Sequence, residues 1–172
     1  MKIEVVTTLG AAPARLVELM LAPEQLARLV ARLDMVDQIE ELSREERGGQ
    51  LERTLRYRAA TAGKIPAFLS RYKDRAPEHV FWEQREVWDV AGGRMTYVII
   101  PQVPAHWGKY YTNSGSLAVS AHAQGATLTA RLELEVKVFG FQTLIERALE
   151  PEIKRLLKLQ SSAVEDGLKA QG

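Results

Sequence analysis

Between Ala126 and Leu157 the sequence ATLTARLELEVKVFGFQTLIERALEPEIKRLL changes its period. Leu128, Ala130, Leu132, Leu134, Val136 and Val138 alternate with Thr127, Thr129, Arg131, Glu133, Glu135 and Lys137, the two-residue repeat of a half-buried strand. Beyond Phe139-Gly140-Phe141 the apolar residues return at spacings of three and four. Leu144, Ile145, Ala148 and Leu149 are followed by Ile153, Leu156, Leu157, Gln160 and Val164 on one helical face. Pro151 falls inside this pattern, where proline removes a hydrogen bond and clashes with the preceding turn at a cost of about 3 kcal/mol or more. Either two helices abut there or one helix kinks, and the unbroken apolar face favours one kinked helix. A two-faced strand joined through one glycine to a two-faced helix needs a cover for its apolar side, and the helix supplies it. Gly140 permits the reversal. Two packings satisfy this pattern: a helix closing a cavity over the sheet, or a helix and sheet packed solid.

The rest of the chain supplies the sheet. Lys2–Thr8 alternates and is rich in β-branched residues, so it reads as a first strand ended by Gly10. Pro13 suits the first position of a helix, with Leu16, Val17, Leu19 and Met20 at helical spacing. Pro23 restarts the pattern with Leu26, Leu29, Val30 and Leu33, giving two short helices. Residues 35–59 read as a hairpin turning at Gly48-Gly49, its first arm rich in Glu and Arg and its second carrying Leu51, Leu55 and Tyr57 on one face. An irregular segment, roughly 60–78, precedes strands at Val80–Asp89 and Arg94–Ile100 that turn at Gly92-Gly93. A loop with Pro101 and Pro104 leads to a polar strand near Tyr110–Ser120, and then to the alternating strand. The expected class is α+β. An antiparallel sheet of about seven strands curves under its own twist, with two short helices after strand one and a long C-terminal helix across its concave face.

Length and charge narrow the function. A chain of 172 residues suits one domain spanning 1–172. With 23 basic against 22 acidic residues there is no basic footprint for nucleic acid. The absence of cysteine excludes disulfides, thiolate metal sites and cysteine nucleophiles, and suits a reducing compartment. Residues MKIEVVTTLG lack the uninterrupted apolar run of a signal peptide, and no stretch is long and apolar enough for a transmembrane helix, so a cytoplasmic location is expected.

The run from strand one into the Pro13 helix start, the segment 82-WEQREVWD-89 and the transition 138-VFGFQTLIERALEPEIKRLL-157 resemble the START-like, or SRPBCC, superfamily. The last two are most similar to a bacterial START-like family of unknown function. The resemblance spans nearly the whole chain and implies a helix-grip fold that binds hydrophobic ligands such as lipids, sterols or polyketides between sheet and helix. Some members are cyclases or hydrolases, others transport proteins or co-chaperones. The superfamily shares no catalytic motif, so no catalytic residue is transferred.

The residues themselves nominate a site. If Trp82 and Trp88 face inward, alternation sends Gln84 and Glu86 inward too, and Arg53 lies between Leu51 and Leu55. Buried charges need a partner, water or a ligand. Arg53 and Glu86 are therefore expected on neighbouring strands at the polar end of the cavity. There Arg53 would hold a carboxylate or phosphate bidentately, or the two would form a structural ion pair. Tyr57, Trp82, Trp88 and Tyr97 offer apolar surfaces with polar handles, joined by Met95 and Ile99, and serve as cavity lining or as core. His106, beside Trp107 in the Pro-bounded loop, is a candidate acid or base at the rim. The three histidines lack metal-ligand spacing, and neither a metal nor a cofactor is expected. Residues 63–77 carry Ile65, Phe68, Leu69 and Tyr72 among Lys64, Arg71, Lys73 and Arg75. That pattern suits a lid or transient contact with an anionic membrane, and equally a short helix packed on the sheet.

The leading expectation is noncatalytic binding of a hydrophobic or amphipathic small molecule. The alternatives are a polyketide cyclase or hydrolase using Glu86, Arg53 or His106, and a protein-interaction module using the outer sheet face.

Overall fold

The computed structural model describes residues 1–34, 36–60, 78–102, 111–137 and 142–171. These form seven strands and three helices. In chain order they are β1 (Lys2–Leu9), α1 (Pro13–Leu21), α2 (Glu24–Arg32), β2 (Val36–Arg47), β3 (Gln50–Ala60), β4 (His79–Asp89), β5 (Arg94–Pro101), β6 (Tyr111–His122), β7 (Gly125–Val136) and α3 (Gln142–Gln171). The strands make one curved antiparallel sheet in the order β1-β7-β6-β5-β4-β3-β2. Chain-adjacent strands pair throughout, except that β1 closes the far edge on β7, with Ile3 opposite Leu132 and Val5 opposite Ala130.

Local chemistry explains these elements. Pro13 occupies the first turn of α1, where its missing N–H would have no helical partner. Gly48 and Gly49 turn the β2–β3 hairpin with φ of +58° and +83°, left-handed values that a two-residue type I′ turn demands at both positions. Asp89 Oδ1 accepts the Gly92 N–H at 2.8 Å and so fastens the β4–β5 turn. The acidic and basic first arm of the hairpin, β2, is an edge strand that is exposed almost throughout, and its charges discourage pairing with another sheet.

The two-residue alternation holds along β7. Ala126, Leu128, Ala130, Leu132, Leu134 and Val136 are buried on the inner face. α3 runs 30 residues, about 45 Å at the usual helical rise, as a single element with Pro151 inside it. Its Leu157 packs with Ile3, Val5, Ala130 and Leu132, while Val164 joins Leu16, Leu19, Trp88 and Leu128. At Gly167 a Cβ would sit 2.8 Å from Leu19 Cδ2, so the glycine lets α3 approach α1 closely. α2 covers the other end of the inner face, where Leu26, Leu29 and Val30 lie against Leu55 and Tyr57. No helix among the described residues is long and apolar enough to cross a membrane. The expected reversal at Gly140, the lid segment 63–77 and the rim residues His106 and Trp107 lie outside the described residues.

Candidate functional site

Strand register assembles the polar centre. Arg53 on β3 stands opposite Glu86 on β4, Glu86 opposite Tyr97 on β5, Tyr97 opposite Gly115 on β6, and Gly115 opposite Leu132 on β7. One row of the sheet thus carries an arginine, a carboxylate and a phenol toward the helices. A Cβ on Gly115 would collide with the Tyr97 ring and with the Arg131 carbonyl, so only glycine leaves room for the ring to lie across β6.

Glu86 is the hub. Its Oε2 accepts Arg53 Nε at 2.9 Å, Arg53 Nη2 at 2.7 Å and Trp88 Nε1 at 2.8 Å, while Oε1 accepts Gln84 Nε2 at 2.8 Å. Arg53 and Glu86 are only 4% and 3% exposed, so each depends on the other for its charge. Arg53 and Glu86 form the ion pair that is the alternative to head-group binding. Two donors of the guanidinium converge on one Glu86 oxygen, and the edge made by Nη1 and the second Nη2 hydrogen keeps its N–H groups. The remaining nitrogen, Nη1, lies 3.7 Å from Glu41 Oε2, beyond hydrogen-bond reach, and is buried without a hydrogen-bond partner. Glu41 itself is bound by Arg44, which also donates to the Leu21 carbonyl at 2.8 Å and ties the sheet edge to the end of α1.

A cavity of about 70 Å³ lies between this polar row and α3. Leu55, Met95, Leu128 and Ala130 supply its apolar wall, and Leu157, Gln160, Ser161 and Val164 line it from α3. Arg53, Tyr57, Gln84, Glu86, Trp88 and Tyr97 all reach it. Trp82 does not line it. Its ring stacks on Tyr57 with centroids 5.1 Å apart and planes 9° from parallel, buttressing the wall from behind. Burial pushes the Tyr57 phenol well above the ordinary tyrosine range, and the nearby Glu86 charge adds to the shift.

The residue that sequence reasoning passed over is Gln25. It is 2% exposed, lines the cavity from α2, and neither its Oε1 nor its Nε2 has a hydrogen-bond partner. The available signal was its spacing: Gln25 and Leu29 are four residues apart on one face of α2, and both line the cavity. Ser161 was missed likewise, although it shares a helical stripe with Leu157 and Val164. Its hydroxyl donates to the Leu157 carbonyl at 3.2 Å. Among the described residues no cluster of His, Asp and Glu is arranged to hold a metal.

A curved antiparallel sheet gripping a long C-terminal helix, with two short helices after the first strand, is the helix-grip fold of START-like (SRPBCC) proteins. Residues 4–167 match the family described as Protein of unknown function (DUF2505), and the chain belongs to that family. No curated protein matches it. Among the solved structures that share the fold are the following three. The protein TTHA0849 from Thermus thermophilus has 17% identity and a TM-score of 0.70, covering 100% of this chain and 99% of that one. The ZhuI aromatase/cyclase from Streptomyces sp. R1128 has 16% identity and a TM-score of 0.60, with 95% and 93% covered. A START superfamily protein from Mycobacterium smegmatis has 12% identity and a TM-score of 0.60, with 96% and 97% covered. At these identities the likeness is one of fold alone.

Proposed function

We propose that this protein binds an amphipathic small molecule between its sheet and α3 and leaves it chemically unchanged. The observation that carries the reading is a cavity with mostly apolar walls, two of whose lining residues, Gln25 and Arg53, carry buried polar atoms without hydrogen-bond partners. An unpaired buried polar group costs free energy that a ligand can return, whereas a core built only for stability would pair or replace it. Glu86 argues against acid–base work, because both of its oxygens already accept hydrogen bonds from protein donors.

The volume limits the guest. Ligand pockets for drug-sized molecules run to about 300–1,000 Å³. The 70 Å³ found here holds roughly five to seven water-sized groups. One end of an amphipathic molecule fits this space, and a long chain enters only if α3 moves away from β7.

Native mass spectrometry of the intact protein purified from its host tests the proposal. A copurified small molecule, released on unfolding, is expected. An empty protein whose thermal midpoint also ignores a panel of amphipathic compounds would overturn it. Turnover of a polyketone substrate that is lost in Glu86→Gln would instead favour an aromatase/cyclase type of activity.

A further inference from the structure

Resting on that binding reading, we infer that the cavity selects a ligand whose polar end is uncharged and carries both a hydrogen-bond donor and an acceptor: an alcohol or a primary amide. Two residues that line the cavity carry three buried atoms without hydrogen-bond partners: Gln25 Nε2, Gln25 Oε1 and Arg53 Nη1. Two offer N–H groups and one offers a lone pair. A hydroxyl or amide presents one oxygen to accept and one hydrogen to donate, and so answers both kinds. An ether or ketone leaves Gln25 Oε1 unserved.

Charge excludes the ionic alternatives. Arg53 is neutralised by Glu86 at 2.7 Å, and Glu41 at the sheet edge by Arg44 at 2.9 Å. The charges pair off within the protein, leaving no net charge to compensate an incoming carboxylate, phosphate or ammonium. An ion brought into such a site loses its hydration and gains no counter-ion, a cost of several kcal/mol. A neutral group of the same size loses far less and gains the hydrogen bonds. Selection therefore follows from the charge pairing already present in the folded chain.

The test uses the full chain and a matched set of small probes: butanamide, butan-1-ol, butanoate at neutral pH, and pentane. Binding is followed by two-dimensional NMR, with backbone amide signals of the cavity residues Leu29, Leu55 and Val164 read in wild type and variants, and the Gln25 side-chain amide as the local readout in wild type. Butanamide and butan-1-ol are expected to shift those signals and to bind at least tenfold tighter than butanoate or pentane. In Gln25→Leu, and in Gln25→Met as a second variant of similar shape, the advantage over pentane is expected to shrink at least fivefold while pentane still binds. Butanoate binding as well as butanamide, or pentane matching both neutral probes, would overturn the neutral-group assignment while leaving an apolar binding cavity intact. No shift with any probe would overturn this assignment and the binding reading together.

Discussion

Arg53 and Glu86 face each other across β3 and β4, and two guanidinium nitrogens converge on a single carboxylate oxygen at 2.9 and 2.7 Å. The pair is buried, so its members are energetically inseparable. Glu86→Leu strands the arginine charge and also orphans Gln84 Nε2 and Trp88 Nε1. Urea unfolding is expected to show a loss of about 3–5 kcal/mol. Arg53→Met combined with Glu86→Gln retains an acceptor for the other two donors and is expected to cost clearly less than the sum of the single changes. Additive losses would show that the two side chains are hydrated independently.

Gln25 makes the opposite prediction. Its amide is buried and has no hydrogen-bond partner within the protein. Gln25→Leu is therefore expected to stabilise the empty protein by about 1–2 kcal/mol. A destabilised variant would mean that ordered water serves the amide in solution.

Tyr57 couples the cavity to alkaline pH. Its phenol is raised above the ordinary value of 10.0, chiefly by burial. The native state then holds this proton more tightly than the unfolded chain. The associated stability is fully present below pH 10 and is lost as pH rises from there toward the folded value. Unfolding free energy measured from pH 9 to 11 is expected to fall less steeply in Tyr57→Phe than in wild type. Parallel slopes would mean that the hydroxyl reaches solvent.

Gly115 permits the Tyr97 ring to cross the sheet. Gly115→Ala places a methyl group against both the ring and the Arg131 carbonyl, and is expected to cost about 1–3 kcal/mol in a urea titration. Tyr97→Leu in the same chain relieves the first clash and leaves the second, so partial recovery is expected. A neutral Gly115→Ala would show that β6 yields freely.

At the opposite side of α3, Arg32 donates to both oxygens of Asp166, at 2.6 and 2.7 Å. Those hydrogen bonds hold the Asp166 carboxyl below the ordinary aspartate range. A lowered folded value contributes stability above the unfolded value, and that contribution disappears as pH falls through the folded one. Asp166→Asn is expected to lower the thermal midpoint slightly at neutral pH. The gap should close in acid below about pH 4 and in about 1 M salt. A gap that persists in acid would assign the effect to packing.

Alternation and turn chemistry made most of the fold legible in the sequence. The β7 face, the Pro13 helix start and the two diglycine turns are local patterns, each set by a few neighbouring residues. The apolar spacing from Leu144 to Val164 reads as one kinked helix, and residues Gln142–Gln171 form a single helix with Pro151 inside it. That Arg53 and Glu86 point inward was likewise readable from a period of two.

Sequence alone thus determined the class of fold, the inner and outer faces of the strands and the presence of polar groups among apolar ones. Tertiary structure decided which donors Arg53 has left, that Trp82 supports Tyr57 without lining the cavity, and that the polar Gln25 is buried. The reason is geometric. Periodicity assigns a side chain to a face, but its free hydrogen-bonding capacity depends on distances of a few tenths of an ångström between strands and helices far apart in the chain.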